Sequence, residues 1–203
     1  MMESIQQKLF VSLLCALLLS NLSLVSVSKI ARGTAFSRFL SMNTASITNG
    51  VIIGGGRIGS FLYESNDRKD LLISTRGLSA PADGSGPIYV CTRNNDLDAI
   101  IESTPVDRRK DLVFLQNGIL TEFLDSKGLG DNTQALIYFA VSKKGEKPID
   151  GKTDLNPEGL TAVTGIWGND LAARLRAGGL SCHVYDKKRW EIAMVIVSEL
   201  IGN

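Results

Sequence analysis

The chain has 203 residues, 44% of them hydrophobic, with Lys+Arg 22 against Asp+Glu 21. That length fits one domain with a small appendage, and the balanced charge leaves no basic excess to grip a nucleic-acid backbone. Cys15, Cys91 and Cys182 lack C-x-x-C spacing and an even count, and His183 stands alone, so neither a disulfide framework nor a metal centre is expected.

Residues 1–46 read as a presequence. Leu9 to Leu19 is an apolar run continued by Ser-interrupted Leu22 to Val25, the shape of a signal-peptide core. It is short for a membrane span, which needs about 20 apolar residues, so no stable span is expected in the mature form. Ser26 to Thr48 carries Lys29, Arg32 and Arg38, and no Asp or Glu occurs from Ser4 through Tyr63. An apolar leader followed by such a stretch resembles the two-part presequence of algae with complex plastids, with Ala35-Phe36 at the junction. The reading taken is import into an organelle, a plastid; secretion and an uncleaved anchor are the alternatives.

From Val51 the pattern changes to strand, turn, helix. Val51-Ile52-Ile53 runs into Gly54-Gly55-Gly56-Arg57-Ile58-Gly59, which fits G-x-G-x-x-G. In that motif the first glycine permits the turn, the second admits a pyrophosphate to the backbone, and the third packs helix on strand. Unpaired N–H groups at the helix start would face the phosphates. With Gly 20 in the chain, the bland alternative is a structural turn or a chance match. A brief helix, Arg57 to Glu64, and a polar turn lead to a second strand, Leu71 to Thr75. Where an NAD-preferring fold places an acid, this chain has Arg76, suited to a 2′-phosphate, so the cofactor expected is NADP. A solvated strand-end charge is the alternative for Arg76.

Gly77 to Pro87 offers no helix. A parallel crossover wants about a dozen residues or more, so the fold is either trimmed here or returns antiparallel. Ile88 to Thr92 is the next strand, followed by Arg93, with Asn94-Asn95 as caps for a helix from Asp96 to Glu102. Leu112 to Gln116 is another strand, ending in Asn117-Gly118. Ile119 to Lys127 reads as a helix closed by Gly128, and Ala135 to Val141 as one more strand. A hairpin through Lys143-Lys144-Gly145-Glu146-Lys147-Pro148, its lysines read as a solvated turn, leads to a strand from Leu160 to Trp167. A capped helix from Asp170 to Ala177 stops at Gly178-Gly179, and Leu180 to Tyr185 is the last strand, with His183 a core or edge residue. Strands alternating with helices give an α/β class, specifically a Rossmann-like dinucleotide-binding domain with a mostly parallel sheet over 47–186.

Phe114-Leu115-Gln116-Asn117-Gly118 at a strand end, after a glycine motif and an Arg-terminated strand and before a Trp-bearing helix, resembles the ketopantoate reductase family. The likeness covers roughly Gly50 to Ile201. It implies an NADPH-dependent oxidoreductase of pantothenate biosynthesis that reduces a small 2-oxo acid to a 2-hydroxy acid. By that resemblance Gly54, Gly55, Gly56, Arg57, Ile58 and Gly59 form the cofactor loop, with Arg76 on the 2′-phosphate. Asn117 would lie near nicotinamide and substrate. Arg93 falls where the family commonly has lysine.

Departures from the family matter as much. Two residues after Trp190, where the family has its proton-donating lysine, stands Ile192, and Ile196 meets a family asparagine. Lys188, four residues before Ile192, shares its helical face and is the substitute considered, beside a bland reading as a solvated helix start. Residues 187–203 correspond to the first helix of the family's helical domain, here truncated. Ile192 to Val197 is apolar on every side, so that helix must dock on the sheet, pair with another subunit in a homodimer, or remain a liability. The alternative function is a catalytically inactive NADP-binding module or partner subunit.

Overall fold

The structure, a computed structural model, describes residues 47–201 apart from 76, 78, 153, 155, 156 and 158, and the side chains of the last helix up to Val195. The expected presequence lies outside the described residues. Among those described, no helix is long and apolar enough to cross a membrane, and no group of side chains is arranged to hold a metal ion.

Seven strands form one sheet: β1 (Val51–Ile53), β2 (Leu71–Ile73), β3 (Ile88–Val90), β4 (Leu112–Phe114), β5 (Thr133–Leu136), β8 (Ala162–Thr164) and β9 (His183–Val184). A separate hairpin pairs β6 (Phe139–Ala140) with β7 (Ile149–Asp150). The sheet order is β2-β1-β3-β4-β5-β8-β9. The first five strands in that order run parallel, β8 is antiparallel to β5, and β9 is parallel to β8. This is the mostly parallel α/β sheet expected of a Rossmann-like domain.

Alternate residues of each central strand face opposite layers, as the two-residue period of a strand requires. Ile52, Tyr89 and Val113 point to one face, where they meet Phe61 and Leu62 of α1 (Arg57–Glu64) and Leu171, Ala172 and Leu175 of α4 (Gly168–Ala177). Val51, Ile53, Ile88, Val90, Leu112 and Phe114 point to the other. There they meet Leu97 and Ile101 of α2 (Leu97–Ser103) and Leu124 of α3 (Thr121–Ser126). Both faces are covered, which is why these strands are apolar without alternation.

The short segment after β2 ends in a parallel strand on the far side of β1, so the trimmed alternative holds and the antiparallel return does not. Arg108 fastens that crossover. Its guanidinium donates to the carbonyls of Pro81 (3.3 Å) and Gly86 (3.0 Å) and pairs with Asp111 at 2.8 Å, all buried or nearly so.

The strands are shorter than expected, β8 being Ala162–Thr164 where Leu160 to Trp167 was expected and β9 His183–Val184 where Leu180 to Tyr185 was, and two further expectations need correcting. The strand expected from Ala135 to Val141 is interrupted after Leu136. There the amide of Asn117 takes over both polar groups of Ile137, accepting from its N–H at 2.8 Å and donating to its carbonyl at 2.9 Å. The chain then leaves the sheet to begin the β6–β7 hairpin. Asn94 and Asn95 cap nothing with their side chains: they lie inside a short 3-10 turn, Asn94–Asp96, that leads into α2. The helix expected from Asp170 begins at Gly168 with no side-chain cap, and α3 begins at Thr121, not Ile119; the C-terminal ends of α3 and α4 follow the sequence. Gly128 at φ +70° closes α3 while Leu129 N–H reaches back to the Leu124 carbonyl, and Gly179 at φ +83° does the same after α4, with Leu180 reaching Leu175.

The last helix, α5 (Lys187–Ile201), docks with Trp190, Ala193 and Met194 against Leu136 and Ala162. Docking is therefore achieved for one side only: Ile192 is 40% and Val195 58% exposed. His183, half-buried on the edge strand β9, takes the edge role.

A buried polar cluster fastens α4 to the ends of β1 and β2 where those strands begin. Arg174 is fully buried and forms a two-pronged ion pair with Asp70, while donating to the carbonyls of Leu62 (3.3 Å) and Thr48 (2.9 Å). Its guanidinium stacks 4.7 Å from the Tyr89 ring centroid. Tyr89 donates to Asp170 at 2.6 Å, and Asp170 accepts from the Thr48 N–H at 2.6 Å. Asp70 also accepts from the Gly50 N–H at 2.8 Å. Burial works to lower the Arg174 pKa, but its hydrogen bond to Asp70 and the charges around it raise it above the ordinary value. Burial pushes the Tyr89 phenol well above its usual range, against the opposing pull of Arg174. Truncating one member strands the others in a dry interior. Arg174→Met is expected to cost about 3–5 kcal/mol in a urea titration, with part of the loss returned by adding Asp70→Asn; a single variant as stable as the parent would contradict this role.

Candidate functional site

The strand order reverses at β1: β2 lies on one side of it and β3 on the other. In open α/β sheets, ligands bind at such a switch point, outside the carboxyl ends of the strands. The glycine segment occupies this place. Gly54 takes φ +109°, and a Cβ there would lie 2.7 Å from the Cys91 carbonyl oxygen, so the turn needs glycine on both counts. A Cβ at Gly59 would lie 1.8 Å from the Gly54 carbonyl oxygen, an approach of helix to turn that no side chain permits. Gly55 is closed off by Ser74 at 2.8 Å, and the Ser60 hydroxyl donates to the Gly55 carbonyl at 3.2 Å.

Gly56 differs from its neighbours: nothing lies within 4 Å of where its Cβ would be. It is the N-cap residue of α1, with no side-chain cap, and the first turn of the helix contains no acid. The opening N–H groups of α1 therefore carry their partial positive charge toward an open approach, the arrangement that attracts an anion.

Other expected site residues divide. Ile58 packs against the core behind the loop, a supporting place. Arg57 is exposed, and its guanidinium donates to the Val141 carbonyl at 3.1 Å, which ties α1 to the β6–β7 hairpin. Arg93 follows β3 and is exposed beside the crevice. Arg76 lies outside the described residues. Asn117 follows β4 at the same end of the sheet, but its amide is occupied by Ile137.

Lys188 is not brought to this group. The preceding Lys187 pairs with Asp131, which stands just before β5, so α5 starts at the end of the sheet where the parallel strands begin. The glycine turn lies at the opposite end. Lys188 is exposed there, in agreement with a solvated helix start.

Two polar side chains at the crevice had no role assigned from sequence. Gln116, just past β4, is buried and donates from one amide nitrogen to the carbonyls of Val90 (2.9 Å) and Thr92 (3.2 Å). Thr92 stands just past β3, with its methyl group 3.1 Å from the Cβ position of Gly54. The signal was available: Thr92 lies two residues past β3, which flanks the switch point, and Gln116 two residues past β4, the next strand over. Cys91, beside them, has its thiol pKa pushed far up by burial, and burial raises that of Cys182 to about 12. Neither is a ready nucleophile.

No family model and no curated protein matches the chain. Among solved structures it is similar to yersinopine dehydrogenase in its apo form, at 11% identity and a TM-score of 0.47 over 69% of this chain. The chain spans about half (48%) of that protein's length.

Two outcomes follow from this geometry. Gly56→Val is expected to leave the melting temperature within about 3 °C of the parent, whereas Gly59→Ala forces the helix off its turn at about 1–3 kcal/mol. Thermal melts of both decide, and equal losses would contradict the division between open and closed glycines. In the folded full-length chain at pH 8, at most one of the three cysteines should react quickly with a thiol reagent, since the thiols of Cys91 and Cys182 remain protonated; rapid labelling of two or three would contradict their burial.

Proposed function

We propose that the chain is an NADPH-dependent oxidoreductase that reduces a small 2-oxo acid to a 2-hydroxy acid. The observation that carries the cofactor reading is the contrast within the glycine turn, closed at Gly54, Gly55 and Gly59 and open at Gly56. The residues fit a dinucleotide. Backbone N–H groups at the start of α1 would hold the pyrophosphate, the second glycine leaves room for it, and no acid in the first turn repels it. Arg76, three residues beyond the end of β2 in the sequence, would pair with the 2′-phosphate, and Arg93, exposed after β3, adds positive charge on the other side of β1. When bound, NADPH supplies the hydride, and the protein's part is to bind, orient and exclude water. The substrate class rests on the resemblance carried by Phe114 to Gly118 and Trp190.

A second reading is favoured by one arrangement: a cofactor-binding module without turnover of its own. Both polar atoms of the Asn117 amide serve the Ile137 backbone, and Lys188 starts a helix at the far end of the sheet. A reductase of this design would use Asn117 only through its remaining amide hydrogen and oxygen lone pair, with water as proton source.

Fluorescence titration of the full-length chain with NADPH and NADH, followed by ketopantoate in the same cuvette, separates these readings. NADPH is expected to bind more tightly than NADH, and Arg76→Glu to weaken NADPH by roughly tenfold to hundredfold, the worth of a charge-assisted hydrogen bond. Oxidation on adding ketopantoate selects the reductase; binding without oxidation of NADPH by this or other small 2-oxo acids selects the module. No binding of either nucleotide would overturn both.

A further inference from the structure

Two buried polar atoms beside the glycine turn have no hydrogen-bond partner among the described residues: Thr92 Oγ1 and Gln116 Oε1. A buried polar atom without a partner costs about 1–3 kcal/mol, so such atoms in a native fold call for an explanation. Here both flank one crevice and are tied together, since the Gln116 amide nitrogen donates to the Thr92 carbonyl as well as to that of Val90. Those bonds fix the plane of the Gln116 amide and the backbone of Thr92. What remains on each is one unspent group: a hydroxyl on Thr92, which both donates and accepts, and a carbonyl oxygen on Gln116, which accepts.

Their place in the sheet says which part of a dinucleotide they would meet. The order β2-β1-β3-β4 puts β2, which ends at Ile73 three positions before Arg76 in the sequence, on one side of β1, and β3 and β4, with Thr92 and Gln116 each two residues past their ends, on the other. A dinucleotide lies across the switch point with its pyrophosphate on the glycine turn. With the 2′-phosphate end over β2, the half that falls over β3 and β4 is the nicotinamide riboside, whose hydroxyls and carboxamide present both donors and acceptors.

Resting on the cofactor reading above, we infer that Thr92 Oγ1 binds the nicotinamide riboside half of the dinucleotide, with Gln116 as the positioning residue that fixes Thr92 and adds its own carbonyl acceptor. The fold then carries an uncompensated hydroxyl in the free protein, and the cofactor satisfies it. Removing that hydroxyl without changing the side chain's volume therefore moves stability and binding in opposite directions, which a purely structural threonine does not do.

The test compares the full-length chain with Thr92→Val and Thr92→Ser, each titrated with NADPH and with adenosine 2′,5′-bisphosphate, which lacks the nicotinamide half, and each melted without ligand. Thr92→Val is expected to weaken NADPH roughly tenfold, the worth of one good hydrogen bond. It should leave the bisphosphate affinity unchanged and the melting temperature of the free protein level or higher. Thr92→Ser should keep NADPH affinity within about threefold of the parent. NADPH affinity unchanged in Thr92→Val, or equal weakening of both ligands with a lower melting temperature, would overturn the assignment. A parent chain that binds the bisphosphate but gains nothing from the nicotinamide half also overturns it while leaving the glycine-turn site standing. Binding of neither ligand by the parent overturns the cofactor reading itself.

Discussion

The constraint on which the turn depends is the approach of Gly59 to the carbonyl of Gly54, where a methyl group would sit 1.8 Å from the oxygen. Three consequences come from that single contact. Helix α1 lies close on the end of β1, so Phe61 and Leu62 reach the core under the sheet. The N-terminus of the helix points over the place where the strand order reverses. And the one glycine of the turn with nothing near its Cβ position, Gly56, is left on the outer side, where backbone is open to a ligand. A wider helix–strand spacing would fill the approach with side chain and lose the alignment of N–H groups.

The opposite end of the same strands is built on the reverse principle. Where β1 and β2 begin, Arg174, Asp70, Tyr89 and Asp170 form a dry, mutually bonded cluster that reaches from α4 into the lead-in at Thr48 and Gly50. Buried ion pairs contribute less to stability than their contacts suggest, because desolvation opposes them; their service here is to fix register between elements far apart in sequence. Strand β3 joins the two ends, since it carries Tyr89 of the cluster at mid-strand and leads to Cys91 and Thr92 just beyond its end. A rigid base beneath an open rim is what a preorganised binding site requires.

Much of this was legible in the residues. The glycine spacing, the brief α1, the existence and order of the apolar strands and the Gly stops of α3 and α4 are local signals and formed as read, while the strand ends fell short of the apolar runs. Long-range polar contacts were not legible, because nothing local distinguishes a buried Asp70 or Arg174 from a solvated one. Asn117 shows the same limit from the other side. Its place after β4 was read correctly, but its amide replaces a sheet partner for Ile137 and so divides what looked like one strand into two. The apolar run in α5 left docking, pairing with another subunit and exposure open, and Trp190, Ala193 and Met194 dock; which way the helix runs along the sheet depended on Lys187 meeting Asp131, a pairing no periodicity encodes.

Everything proposed here stands on the glycine turn being a ligand site and not only an architectural turn. Hydrogen–deuterium exchange of the full-length chain with and without saturating NADPH tests it most directly, because the readout is the backbone N–H groups themselves. Slowed exchange is expected in segments containing residues 54–60, 91–93 and 116–118, with the segment around Asp131 and Lys187 unchanged. Protection confined to that far segment, or no protection anywhere at saturating nucleotide, would contradict it.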